Sequence, residues 1–130
     1  MKRSKLAVLA ALTLAGSACG SSTDYGSTGG PPPPPNADVL MVVGASNKGA
    51  QAFAPNPFSV ALGGGASVAV KWGNADETTH HVVADGASPL FNSGNMAPGS
   101  TFSFTFTSAG TFTYHCSIHP NMVGSIQVTP

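Results

Sequence analysis

The sequence has few charged side chains: five Lys and Arg and five Asp and Glu, or 8% of its 130 residues, whereas about 25% is ordinary for a soluble domain. Three of the five cations lie within the first five residues, so the rest of the chain has two lysines against five carboxylates. Nucleic-acid binding requires a basic surface to contact the phosphates, and this composition excludes it. We expect docking to a protein partner to depend on apolar surface instead.

Cysteine is almost absent, with only Cys19 and Cys116 in the chain. Cys19 lies near the N-terminus, so Cys116 has no disulfide partner within the folded part. A free thiol in an oxidising compartment is a liability unless it is buried or ligated. Cys116 is therefore predicted to be either a small buried side chain or a metal ligand.

The N-terminal segment has the pattern of an export signal. Residues 1–18 begin with a basic stretch, continue with an apolar run from Leu6 to Ala15 and end in small residues. The run is too short to span a bilayer as a helix. Cys19 and the residues around it look like a bacterial lipoprotein cleavage site, although Gly16 stands where an aliphatic residue is usual. We expect an exported protein, periplasmic or on the cell surface, that is attached to the membrane through a lipid on Cys19 or simply cleaved.

Residues 19–35 are mostly Gly, Ser and Thr, followed by five prolines from Pro31 to Pro35. This composition cannot build a core and is typical of a linker. The proline run is expected to form a polyproline II rod of about 15 Å. Residues 19–35 are therefore interpreted as a tether, and residues 36–130 as the folded domain.

The domain lacks any segment that predicts a long amphipathic helix. Seven short apolar or alternating runs are separated by Gly, Pro and Asn turns and predict strands. They cover residues 39–43, 58–62, 67–72, 80–84, 101–107, 111–116 and 124–129. Period-two alternation places Phe102, Phe104 and Phe106 on one inward face, and Val70 and Trp72 on another. The prediction is an all-β, Greek-key β-sandwich of about seven to eight strands; residues 45–57 carry no pattern that assigns them a structure.

Three potential metal ligands lie around one predicted loop between two strands. Alternation over residues 111–116 points Tyr114 and Cys116 inward and His115 to the opposite face, where we expect a surface side chain. The next residues form a short loop that carries His119 and Met122. Sulfur ligands with imidazole suit copper or zinc, and two histidines, one cysteine and a weak axial methionine form the electron-transfer copper site.

The second histidine would have to come from elsewhere. His80 and His81 stand at the head of an apolar run. Alternation alone cannot decide which of them faces inward, because His80 shares its face with the apolar Val82 and His81 shares its face with the apolar Val83. Met96 is a second candidate for the axial position, although packing is the simpler role for it. A nucleophile and base pair formed by Cys116 and His119 is the enzymatic alternative, but no third orienting group accompanies it.

Residues 114–124, Tyr-His-Cys-Ser-Ile-His-Pro-Asn-Met-Val-Gly, together with the upstream His-His-Val-Val at residues 80–83, resemble the small blue-copper proteins, the cupredoxins, and especially those with a short amicyanin-like loop. The likeness covers roughly residues 39 to 128. It implies that one type 1 copper ion is bound by His80, Cys116, His119 and Met122. His81 then stands in the place of an asparagine that helps to hold the cysteine loop.

The resemblance implies an electron carrier that cycles between Cu(I) and Cu(II) and has no catalysis of its own. Its redox partner proteins are expected to dock at an apolar patch formed by Pro120, Met122 and the edge of His119. Two other interpretations stay open. The domain could carry or buffer copper for another protein, or it could be a structural sandwich with a vestigial or zinc-filled site.

The role of Cys19 can be tested by detergent partitioning of the mature protein. If Cys19 is acylated, the protein should enter the detergent phase, because each buried methylene contributes about 0.8 kcal/mol to membrane binding. Cys19→Ala should then release it into the aqueous phase. A mature N-terminus that mass spectrometry finds unmodified and elsewhere would contradict the lipid anchor and leave a soluble exported protein.

Overall fold

Two four-stranded β-sheets form the computed structural model, which describes residues 31–130. The strands are β1 (Val39–Met41), β2 (Phe53–Ala54), β3 (Phe58–Ala61), β4 (Val68–Asn74), β5 (Val82–Ala84), β6 (Thr101–Phe106), β7 (Gly110–Cys116) and β8 (Val123–Thr129). The predicted export signal and most of the predicted tether lie outside the described residues. The all-β sandwich prediction is confirmed.

Each sheet combines antiparallel and parallel pairs. The first has the order β2-β1-β4-β6, in which β1 and β4 are parallel and β4 and β6 are antiparallel. The second has the order β3-β8-β7-β5, in which β3 and β8 are parallel, while β7 pairs antiparallel with both neighbours. The central position of β7 is important for the site, because this strand ends at Cys116.

The core lies between the sheets and is rich in aromatic side chains. The predicted inward parity is confirmed: Val70, Trp72 and Phe106 are buried. Trp72 contacts Tyr114 edge-on with ring centroids 5.6 Å apart, and Phe91 at 5.2 Å. Such pairs contribute about 0.5–1.5 kcal/mol beyond the burial of their area, so this cluster joins the two sheets firmly.

The β7–β8 hairpin is packed closely next to the site. Tyr114 pairs with Gly124 in register, and a Cβ at position 124 would lie only 2.5 Å from the Tyr114 hydroxyl oxygen. A side chain there would have to displace a buried ring. Glycine at this position therefore allows the phenol of Tyr114 to approach the backbone of β8 closely.

Residues 45–57, for which the sequence predicts no structure, contain two 3₁₀ turns, Ala45–Asn47 and Gly49–Gln51, and the short strand β2. Phe53 of β2 packs edge-on against Tyr114 with ring centroids 4.9 Å apart. The turns are too short to give a periodic signal. Within residues 31–130 no helix has the length and apolar character needed to cross a membrane.

The predicted strand 80–84 begins later than expected, at Val82. His80 instead forms an isolated bridge with Met96, in which each backbone N–H donates to the other residue's carbonyl at 3.1 and 2.7 Å. The buried Pro34 lies against Gly73 of β4, where an added Cβ would be 3.0 Å from the proline Cγ. The described end of the proline run therefore contacts the sandwich.

Candidate metal centre

Three side chains converge at one end of the sandwich. The ligand atoms of His80, Cys116 and His119 all lie within 4.8 Å of one another. The Cys116 Sγ is 3.8 Å from the Nδ1 of His80 and 3.8 Å from the Nδ1 of His119, and the two nitrogens are 3.2 Å apart. His80 and Cys116 are fully buried, and His119 is partly exposed. The structure thus brings together three of the four residues predicted from the sequence.

The backbone of the ligand loop holds Cys116 and His119 in place. The Cys116 N–H donates to the Met122 carbonyl at 3.0 Å, and the Met122 N–H donates to the His119 carbonyl at 2.9 Å. The Ser117 N–H donates to the His81 carbonyl at 3.0 Å, which fastens the loop to the chain that carries His80. A loop of this length with three such bonds has little freedom to move.

Met122 completes the loop and is fully buried. The prediction that its side chain contributes to an exposed docking patch is therefore wrong, because the thioether belongs to the apolar core cluster. The exposed apolar residues of the loop are Pro120 and Ile118, of which Ile118 is 45% exposed. Ile118 was not singled out from the sequence, although it directly precedes His119.

The two adjacent histidines lie on opposite faces of the chain. His80 has the parity of the buried Val82 and faces Cys116. The His81 ring turns away and bonds the Asn92 amide oxygen at 2.5 Å, while its backbone N–H donates to the Cys116 sulfur at 3.4 Å. His81 therefore contacts the thiol through its backbone and not through its ring.

Two buried polar residues that sequence reasoning did not place at the site support His80. Asp76 is 3% exposed and bonds the His80 Nε2 at 2.8 Å. The Asn74 side chain donates to the carbonyls of Thr78 and Met96, both at 2.8 Å, and accepts from the Asp76 N–H at 2.9 Å. An acidic residue four positions before His80 was the available signal.

The surroundings favour the thiolate form of Cys116. Burial alone would raise the pKa of the thiol, but hydrogen bonds from His80, the His81 backbone and His119 outweigh it and lower the pKa to about 6. Burial likewise opposes charge on His80, yet its bonds to Cys116 and Asp76 raise the pKa of the ring. The thiolate is the form of cysteine that binds metals.

The other candidate residues lie elsewhere. The His115 ring is on the opposite face of β7, where its Nδ1 donates to the Asp85 carboxylate at 2.6 Å and its side chain is 35% exposed. Met96 is 2% exposed and belongs to the core cluster, as does Trp72. These positions agree with the surface role predicted for His115 and the packing roles predicted for Met96 and Trp72.

The donor set has the chemistry that copper prefers. One thiolate and two imidazoles, held close together and largely out of water, are the ligands of electron-transfer copper sites, in which a methionine thioether is the usual weak fourth ligand. The residues present therefore fit a copper ion, and they include all the ligand types that such a site requires.

Comparison with solved structures finds the same fold in copper proteins. A purple cupredoxin from Nitrosopumilus maritimus is 24% identical over 72% of this chain and 100% of its own, with a TM-score of 0.63. An amicyanin variant in its reduced Cu(I) form at pH 4 is 29% identical over 58% of this chain and 71% of its own, with a TM-score of 0.51.

A copper-containing nitrite reductase from Thermus scotoductus SA-01 also matches, at 24% identity and a TM-score of 0.52, but the similarity covers 22% of that enzyme and 72% of this chain. At this identity the likeness shows the fold alone. The family model described as "Copper binding proteins, plastocyanin/azurin family" matches residues 39–129, nearly the whole sandwich. The chain therefore belongs to the plastocyanin/azurin family of copper-binding proteins, and its cofactor is copper.

Proposed function

We propose that this protein is an electron carrier whose single type 1 copper ion is held by His80, Cys116 and His119, with Met122 as the weak axial ligand. The observation that carries the proposal is the convergence of three donor atoms within 4.8 Å of one another. They come from two separate parts of the chain, and one of them is a buried thiol whose pKa is about 6.

Copper in such a donor set transfers one electron at a time by alternating between Cu(I) and Cu(II). The residues around it contribute rigidity. Cys116 ends a central strand, the loop after it is closed by its own backbone hydrogen bonds, and the His80 ring is fixed at both nitrogens. Ligands that cannot move far when the oxidation state changes keep the reorganisation small, which suits rapid electron transfer.

The route to a partner is proposed to pass through His119. We call the exposed loop surface of Ile118, His119 and Pro120 the His119 patch. Its two apolar members are exposed and its histidine is partly exposed, so the edge of a proposed ligand reaches the surface. Because charged residues are scarce, a redox partner protein is expected to dock there mainly through apolar contact.

The protein is further proposed to act outside the cytoplasm, exported by residues 1–18 and attached to the membrane through Cys19 where that residue is acylated. It has no catalytic role in this proposal. A copper carrier or buffer is the second candidate, because the same soft donors bind Cu(I). The two functions differ in whether the copper ion stays bound while it is oxidised and reduced.

Repeated oxidation and reduction of the copper-loaded protein tests the proposed function. An electron carrier should cycle reversibly and retain its copper, because its ligands are held in place in both states. The measurement is cyclic voltammetry followed by metal analysis of the desalted protein, with a chelator present throughout. Loss of copper to the chelator in one oxidation state would favour the copper carrier.

The ligand set is tested by the visible spectrum of the copper-loaded protein. We expect intense blue absorption from sulfur-to-copper charge transfer, which Cys116→Ser and His80→Ala should each abolish. His81→Ala is the matched control: it removes the neighbouring ring, keeps the backbone N–H that contacts the sulfur, and should retain the colour. Bleaching by His81→Ala alone, or a colourless wild-type protein loaded with copper, would refute this ligand set.

The axial role of Met122 is tested by Met122→Leu, a substitution that nearly conserves volume in the core. The blue colour should remain, and the reduction potential should rise, because the thioether stabilises Cu(II) more than Cu(I). Met96→Leu provides the control, since Met96 is also buried in the core but belongs to a different loop. Equal potentials for Met122→Leu and the wild type would show that Met122 is not axial.

A further inference from the structure

The Asp76 carboxylate accepts four hydrogen bonds in a buried position. Its Oδ1 accepts from the backbone N–H groups of Gly44 at 2.8 Å and Glu77 at 2.9 Å. Its Oδ2 accepts from the Thr78 hydroxyl at 3.0 Å and contacts the His80 Nε2 at 2.8 Å. Both oxygens are thus fully engaged, and two backbone N–H groups and a hydroxyl donating to one carboxyl group favour its ionised form, which only accepts hydrogen bonds.

This arrangement determines which ring nitrogen of His80 carries the proton. An ionised carboxylate can only accept hydrogen bonds, so the Nε2 that faces it must be the protonated nitrogen. In the neutral ring the Nδ1 then carries the lone pair, and it is the Nδ1 that faces the Cys116 sulfur and the His119 Nδ1. Asp76 therefore selects the tautomer of His80 that can bind a metal at this site.

We propose that Asp76 is a positioning residue for the copper site, which fixes the orientation and tautomer of His80 and makes the bound Cu(II) state more stable. The proposal rests on the proposed function, because it takes His80 as a copper ligand. A hydrogen bond from the non-ligating nitrogen of an imidazole to a carboxylate raises the basicity of that imidazole as a ligand. Loss of such a bond typically costs about 10–100-fold in metal affinity.

Asparagine cannot replace Asp76 without conflict. The asparagine side chain has one oxygen and one NH₂ group, whereas hydrogen-bond donors face both oxygens of the Asp76 carboxylate. If the NH₂ faced Gly44 and Glu77, two backbone N–H groups would lose their acceptor, and these groups cannot rotate away. The NH₂ therefore faces His80 and requires the Nε2 to accept a hydrogen bond. That moves the ring proton to Nδ1, where it competes with copper.

Asp76 also adds a negative charge beside the ligand. The carboxylate lies within hydrogen-bond distance of the His80 ring and is shielded from water, so its field is screened only weakly. A nearby negative charge stabilises Cu(II) more than Cu(I) and lowers the reduction potential. Loss of the charge should therefore shift the potential in the positive direction.

The experiment compares Asp76→Asn with Asp85→Asn, each in the copper-loaded full chain. Both substitutions remove one carboxylate that is hydrogen-bonded to a histidine, but the Asp85 and His115 pair is exposed and lies on the other face of β7. We expect Asp76→Asn to weaken Cu(II) binding about 10–100-fold in chelator competition and to raise the potential. Asp85→Asn should change neither. Equal behaviour of the two variants would overturn the proposal.

The tautomer can be measured in the wild-type protein, so the test does not depend on a folded variant. Nitrogen-15 NMR of the diamagnetic Cu(I)-loaded protein should show the His80 Nε2 protonated, with slow proton exchange, and a protonated Nδ1 would refute the proposal. The metal-free protein, at a pH where the ring is neutral, should give the same tautomer. A wild type that binds no copper would refute the proposed function, while the metal-free tautomer would still decide the role of Asp76.

Discussion

The structure depends on one constraint, which is that a thiol and an imidazole buried at the end of an apolar sandwich must have partners for all their polar atoms. An unpaired polar group in such a place costs about 1–3 kcal/mol. Cys116 meets the constraint through the His81 backbone and the two histidine rings, and His80 meets it through Cys116 and Asp76. The loops at this end of the domain are arranged to supply these partners.

Three separate segments are joined in this way. Asp76 connects the chain before His80 to Gly44, at the start of the 3₁₀ turns. Ser117 connects the ligand loop to the His81 carbonyl. The bonds extend around the site from one sheet to the other, so each proposed ligand is held by contacts that do not depend on a metal ion. A site formed in advance loses little conformational freedom when it binds copper.

Sequence reasoning predicted the parts of the fold that repeat with period two. The inward faces of β4, β6 and β7 follow from alternation, and so does the position of Cys116 at the end of β7. The choice between His80 and His81 could not be made in this way, because both parities continue into apolar residues. β2 was missed because it pairs with β1 between residues such as Leu40 and Ala54, which lie far apart in the chain. Asp76 had one local signal, its spacing of four from His80, but the bond from Gly44 that also holds it joins residues 32 positions apart, and no local pattern reports that contact.

The two proposed histidine ligands differ in their surroundings, and the difference is consistent with electron transfer. His80 is fully buried, and its second ring nitrogen is occupied by Asp76, so this side of the site is closed and anchored. His119 is partly exposed, lies between Ile118 and Pro120, and is carried by a short loop. An anchored side preserves the geometry of the ligands, while an exposed ligand edge shortens the distance to a docked partner. The proposed electron transfer needs both properties at once, and their placement on different histidines allows the site to be rigid on one side and accessible on the other.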